Sequence, residues 1–250
     1  MKIIRRVTEP EVISEFLRNE FYQGEFHNDR EKYEHLVLDA DITNAAENAL
    51  RRALLFRRRG HMWRELPADT QWWHVEIEPE DLSKIRVFPR AQWRKVADGS
   101  FLLPDVVQRI RSQRFSGKTR EFISKVQALS YQLRVDSDNS CILLIGIDEI
   151  RPMTILEGNH RMAAALLASH NLLQNRFRIM CGLSPHMRES CWYETNFTTL
   201  LRYARNRIRN FWYDREADVR LISMPDAKTI AAQSSSYDGV SAQKIARGSK

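Results

Sequence analysis

Apolar residues recur at helical spacing in several parts of the chain. An early example covers residues 10–22, with Thr8 near its start as a cap. Its apolar positions are Val12, Ile13, Phe16, Leu17 and Phe21. Further helices are predicted over 43–59 with Gly60 as the stop, as a pair within 104–134, over 159–168 and over 195–213. A polar stretch, residues 23–34, separates the first two helices.

Shorter apolar segments have the pattern of strands. Residues 72–77 alternate apolar and polar side chains after an aromatic start, and a turn into a short helix follows at 78–82. Compact apolar runs predict buried strands over 141–147, 153–156 and 176–181. Because these strands flank the helix predicted over 159–168, the sequence predicts an α/β protein with a small mixed sheet and many added helices.

The same elements divide the chain into regions. Residues 1–71 are predicted to form an N-terminal helical extension, and 72–192 a core with a helical insertion near 104–135. An arginine-rich helix and a short strand are expected within 193–223. Residues 224–250 are rich in Ser, Ala, Gln, Asp and Gly, which predicts a disordered tail. A length of 250 residues fits one large domain with such additions.

Composition and charge narrow the class of protein. The chain is 43% apolar and 28% charged, which excludes collagen-like and wholly disordered proteins. A net charge of +7, carried mostly by arginine, favours a polyanionic partner. No apolar run is long enough to span a membrane, no secretory signal is evident, and the three cysteines form no metal or disulfide pattern. We therefore expect a cytoplasmic protein without a membrane partner or a structural metal.

The segment that carries chemistry is ILEGNHRMAA, residues 155–164. It predicts a strand, a turn at Gly158, and a helix whose first amides have no acceptor within the helix. Such amides bind anions, and His160 and Arg161 would add side-chain donors. The alternative is structural: Asn159 caps the helix and Arg161 pairs with a surface carboxylate.

The residues EGNHRMAA, 157–164, resemble the (D/E)G-x-(H/R)-R-x-x-A signature of the ParB/sulfiredoxin superfamily. The order of elements over about 72–183 is also similar. The resemblance implies that Gly158, Asn159, His160 and Arg161 hold the phosphates of a nucleotide. ATP, ADP or CTP, together with Mg²⁺, would then be the cofactor.

The chain departs from two branches of this superfamily. Sulfiredoxins place a reactive cysteine where Asn159 stands, and partition proteins carry a helix-turn-helix domain where this chain has a single arginine-bearing helix. A third group of the superfamily comprises small-molecule kinases, which use a carboxylate to deprotonate the acceptor hydroxyl. The expected function is nucleotide binding, with phosphoryl transfer to a small-molecule acceptor or nucleotide hydrolysis. Glu157 and His160 are the catalytic candidates; alternatively, Glu157 orients the loop through backbone amides.

Other residues carry weaker expectations. Arg90 is a candidate phosphate or substrate ligand, or a surface arginine beside a turn. Thr195 and Asn196 either line a second subsite or cap the following helix. That helix presents Arg202, Arg205 and Arg209 on one face, which suits a nucleic-acid backbone as an alternative function, or else leaves them solvated or paired. Its opposite face is strongly apolar, so the helix is expected to pack against another surface.

Overall fold

The fold was analysed in a computed structural model, which describes residues 1–89, 91–135, 140–169, 172 and 177–212. Arg90, the tail predicted over 224–250 and the end of the predicted region 193–223 lie outside the described residues.

Most of the described chain is helical. The α-helices are α1 (Glu9–Glu20), α2 (Arg30–Leu38), α3 (Ala45–Trp63), α4 (Ala91–Ala97), α5 (Leu103–Ser112), α6 (Gly117–Val135), α7 (Asn159–Ala168) and α8 (Phe197–Trp212). Short 3-10 helices span Gly24–Asp29, Pro79–Lys84 and Met187–Glu189. Within the described part of the chain, no helix is both long enough and apolar enough to cross a bilayer.

The strands form a six-stranded mixed sheet. They are β1 (Lys2–Val7), β2 (Gln71–Glu76), β3 (Ile85–Arg86), β4 (Cys141–Gly146), β5 (Met153–Glu157) and β6 (Arg178–Leu183). Their order across the sheet is β1-β2-β6-β4-β5-β3. The pair β4/β6 and the pair β3/β5 are parallel, and the other neighbours are antiparallel. This arrangement confirms the predicted α/β class.

The sheet separates two apolar cores. Every residue of β4 is buried, and successive side chains alternate between the cores: Cys141, Leu143 and Ile145 join the first, and Ile142 and Leu144 the second. The first core is completed by α1, α2 and α3, and the second by α4, α5, α6 and α7. The helices within the predicted insertion therefore cover one face of the sheet, while the N-terminal helices cover the other.

Several local predictions are wrong. The N-terminal region begins with a strand, β1, and the stretch 23–34 contains a 3-10 helix and the start of α2. Helix α3 does not stop at Gly60 but continues to Trp63, whose ring is buried and stacks on Trp72 at 5.7 Å. A glycine inside a helix costs about 1 kcal/mol relative to alanine, whereas burying a large aromatic side chain contributes more than this. Tertiary packing thus overrides the local stop.

Helix α8 packs as expected, but not through its apolar face. Phe197, Leu201 and Ile208 on this face are exposed to solvent. The helix instead contacts α3 through its other side, where Tyr203 lies against the rings of His61 and Trp192.

Candidate functional site

The motif forms a strand-to-helix junction. Strand β5 ends at Glu157, and α7 begins at Asn159 after Gly158, which has φ 97° and ψ 17°. A Cβ atom at Gly158 would also lie 3.0 Å from Ile142 Cγ1. The left-handed backbone and the close approach of β4 both require glycine here. The first backbone hydrogen bond of α7 runs from Met162 N–H to the Gly158 carbonyl. The N–H groups of residues 159–161 therefore have no acceptor within the helix.

Glu157 is held by its own neighbours. Its Oε1 accepts a hydrogen bond from Gly158 N–H at 2.8 Å and one from Arg161 Nη2 at 3.4 Å. The carboxylate therefore orients the turn through a backbone amide, as one of the two expectations for it states. A role as a general base stays a prediction.

Asn159 joins the motif to the segment after β3. Its Oδ1 accepts from Phe88 N–H at 2.8 Å, and its Nδ2 donates to the Ile155 carbonyl at 3.3 Å. The expectation that Asn159 caps the helix is wrong, because Gly158 occupies the cap position and Asn159 is the first helical residue. Its side chain bridges two segments because β3 lies beside β5 in the sheet.

His160 packs among aromatic rings. Its ring centroid lies 5.3 Å from that of Trp93 and 5.1 Å from that of Phe122. Desolvation by these neighbours lowers the pKa of His160 below its ordinary value of 6.5, against the opposing effect of Glu157. A neutral imidazole with one donor and one acceptor nitrogen follows near pH 7.

The first turn of α7 lines a cavity of about 300 Å³. Glu157, Asn159 and His160 form one wall of it. The rest of the lining consists of basic side chains from α3 and α8 and of apolar side chains. They are Arg59, His61, Met62, Phe88, Trp93, Leu156, Trp192 and Arg207. The cavity therefore combines cationic and aromatic groups around the predicted motif.

A partly buried carboxylate from α1 supports one of these cations. Glu20 Oε2 accepts from Arg59 Nη2 at 3.0 Å. Burial raises the pKa of Glu20, the negative charge of Glu157 raises it further, and Arg59 and Arg161 act in the opposite direction. Two carboxylates and two guanidinium groups thus interact electrostatically beside the cavity.

Arg207 reaches the cavity from α8. Its Nη1 lies 3.2 Å from Nε2 of His61. Because arginine can only donate, this bond requires an unprotonated His61 Nε2. The bond and the contact of Tyr203 with Trp192 make α8 a wall of the site.

Other predicted residues lie away from the cavity lining. Asn196 Oδ1 accepts from Thr199 N–H at 2.9 Å, so Asn196 caps α8, and Thr195 Oγ1 donates to the Cys191 carbonyl. Arg161, paired with Glu157, is not among the lining residues.

The three arginines predicted for nucleic-acid contact differ in their surroundings. Arg202 donates to the carbonyl and the carboxylate of Glu189, both at 3.1 Å. Arg205 and Arg209 are exposed on α8. Arg202 is exposed as well, and its bonds to Glu189 agree with the expectation that these arginines are solvated or paired.

The described residues contain no cluster of side chains that would form a metal-binding site. Among the described residues, no group of three or more His, Cys, Asp or Glu side chains could hold an ion. Cys141, Cys181 and Cys191 are free and buried. Mg²⁺ is commonly held by one or two carboxylates and the phosphates of its nucleotide, and Glu157 supplies a carboxylate of that kind in the cavity wall.

Sequence reasoning missed Glu20, His61 and Arg207 as parts of the site. In the sequence, Arg59 ends a run of three arginines, residues 57–59, of the kind that favours a helix C-terminus, and Trp192 has the character of a core residue. No local pattern links these positions to residues 157–161, since their proximity arises from the packing of α3 and α8 beside α7. Comparison of the chain with protein-family models, curated proteins and solved structures found no match.

Proposed function

We propose that this protein binds a nucleotide, with the phosphates at the first turn of α7. The observation that carries the proposal is the cavity in which this turn meets Arg59 and Arg207. The free amides of a helix start and charge-assisted side-chain donors are the groups that phosphate oxygens prefer. The resemblance of residues 157–164 to the ParB/sulfiredoxin signature supports the same ligand.

The rest of the cavity suits the other end of such a ligand. The rings of Phe88 and Trp192 are in contact, with centroids 4.5 Å apart and planes tilted by 31°, and both line the cavity as apolar groups. A volume of about 300 Å³ lies at the lower end of the range of small-molecule sites. ATP, ADP and CTP with Mg²⁺ are therefore the ligands to be tested.

Thermal unfolding tests the binding proposal. We expect each bound nucleotide to raise the Tm, by an amount equivalent to about 2.7 kcal/mol at a ligand concentration 100 times the Kd. The matching nucleosides, which have no phosphate, should give a much smaller shift. If millimolar ATP, ADP and CTP all leave the Tm unchanged in the presence of Mg²⁺, the proposal is wrong.

Glu157 would act as the general base in phosphoryl transfer or nucleotide hydrolysis. As a general base, its carboxylate would accept the proton of a hydroxyl or water as the phosphorus is attacked. Glu157→Gln keeps an oxygen that can accept from Gly158 N–H but removes the base. We expect this variant to bind nucleotide and to lose turnover, measured as phosphate release; loss of both together would assign Glu157 to loop orientation alone.

A further inference from the structure

Helix α8 exposes an apolar stripe, defined by Phe197, Leu200, Leu201, Ala204 and Ile208. The large side chains among them are 78%, 45%, 56% and 60% exposed, for Phe197, Leu200, Leu201 and Ile208 respectively. Single exposed apolar residues are ordinary in proteins, but a continuous stripe of this kind marks an interaction surface.

The stripe faces away from the protein because the other side of α8 is fixed. Asn206 Nδ2 donates to Oε1 of the buried Glu65 at 2.6 Å. Tyr203 packs edge-on against Trp192 at 5.5 Å. These contacts set the rotation of the helix about its axis, so the stripe is presented in one orientation.

The spacing of the stripe matches a helix-packing seam. Phe197, Leu201, Ala204 and Ile208 follow one another at intervals of four, three and four residues, which is the alternation of apolar positions in a coiled coil. Ala204 lies in the middle, where a small side chain allows close approach of a second helix. The seam is about 16 Å long at 1.5 Å per residue, so it offers an interface of the small, transient class.

The charges beside the stripe favour an acidic partner over a second copy of this chain. On a helical wheel, Arg205 and Arg209 border one edge, while Arg207, next to the other edge, is bonded to His61 in the cavity. Pairing with a second copy of α8 would bring these arginines together in a chain whose net charge is already +7. A partner with carboxylates beside its own apolar positions would be attracted instead.

We propose that the apolar stripe of α8 is a docking surface for an amphipathic helix of another protein, with aspartate and glutamate bordering its apolar face. This inference does not depend on nucleotide binding. Arg207, which lies next to one edge of the stripe on the helical wheel, lines the cavity, so the docking surface and the site adjoin on α8.

A pair of designed peptides tests the surface in the full chain. Both are helices as long as α8 with leucine at the seam positions; one carries glutamate at the flanking positions and the other lysine. We expect the acidic peptide to bind with a Kd in the micromolar range by fluorescence anisotropy, more weakly as salt is raised. The lysine peptide should bind at least about tenfold more weakly.

Matched variants locate the binding. The double variant Leu201→Gln/Ile208→Gln should weaken the acidic peptide by about tenfold or more and keep a native circular dichroism spectrum, because both side chains are exposed. Ile150→Gln, at a residue that is 79% exposed elsewhere, should change nothing.

Four results would overturn the proposal. They are absence of acidic-peptide binding, equal binding of both peptides, unchanged binding by the double variant, and a wild-type dimer in sedimentation equilibrium that the double variant loses. The last result would make a second copy the occupant. Retention on vesicles of phosphatidylcholine and phosphatidylglycerol without peptide binding would assign the stripe to a lipid surface.

Discussion

Two constraints require glycine at position 158: the left-handed backbone and the close approach of Ile142. Gly99 has the first constraint without the second, so it serves as a control. Gly158 has φ 97° and a Cβ there would lie 3.0 Å from Ile142; Gly99 has φ 98° and has nothing within 4 Å of an added Cβ. We expect Gly99→Ala to lower the free energy of unfolding by about 1–2 kcal/mol, the ordinary cost of left-handed backbone. Gly158→Ala should cost more, because Ile142 must also move.

Chemical denaturation of the two variants measures this difference. Equal losses would show that Ile142 adjusts freely and that the approach of β4 to the turn is not a constraint. A larger loss at Gly158 would explain why the motif needs glycine even without a ligand.

His160 gives a prediction for pH dependence. Because burial lowers its pKa in the folded protein, the unfolded chain takes up the proton first as the pH falls. Stability should therefore be complete above about pH 6.5 and decrease as the pH falls through that value toward the folded pKa. His160→Gln should weaken this acid-side loss in denaturation experiments at pH 7 and pH 5.

Proton NMR tests the cause of the His160 shift. The His160 resonance should titrate below 6.5, and Phe122→Ala should move its midpoint upward, since that ring packs against the imidazole. His186, whose pKa is raised by its hydrogen bond to Asp69, is an internal control that should titrate above 6.5 in both proteins. A His160 midpoint at or above 6.5 in the wild type contradicts the desolvated environment.

At the scale of elements, helices and strands with a strong apolar pattern are the ones that the sequence predicts correctly. Helix α7 lies over residues 159–168 as predicted, and β4 and β5 lie within a residue or so of their predicted limits. Helix α2 was missed because only Tyr33, Leu36 and Val37 are buried along it, a pattern too sparse to stand out in a polar stretch. The amphipathic pattern of α8 correctly predicts a helix, but periodicity cannot tell whether the apolar face meets the core or solvent.

The nucleic-acid alternative makes a prediction at α8. Arg202, Arg205 and Arg209 are all exposed, and Arg202 donates to the carboxylate of Glu189. If α8 follows a phosphate backbone, Arg205→Gln/Arg209→Gln should reduce the slope of log K against log salt by about 2, roughly 0.9 for each lost contact. Adding Arg202→Gln should change the slope little further.

Duplex DNA retention across a salt series measures these slopes. A slope that is the same in the wild type and the double variant would remove α8 from nucleic-acid binding. It would leave nucleotide binding at α7 unaffected, because neither substituted arginine lines the cavity.

At the scale of the whole molecule, the class of fold was predictable and the composition of the site was not. The strand-to-helix junction at 157–161 is a local feature, so the sequence locates it. The cavity depends on Arg59 from α3, Arg207 from α8 and the support of Glu20 from α1. These residues are far apart in the chain, and only the packing of helices against one face of the sheet brings them to the motif.

The central claim is that phosphates bind where the first turn of α7 meets the cavity arginines. Its most direct test is calorimetric titration of ATP, ADP and CTP with Mg²⁺ into the wild type, Arg207→Ala, Arg161→Ala and Arg151→Ala. Arg207 lines the cavity and Arg161 compensates Glu157, whereas Arg151 pairs with Asp148 outside it. We predict that each of the first two variants weakens binding by about tenfold or more, as loss of a charged contact worth about 1.5–3 kcal/mol requires, and that Arg151→Ala binds like the wild type. No binding by the wild type at millimolar nucleotide, or unchanged affinity in both Arg207→Ala and Arg161→Ala, would contradict the account.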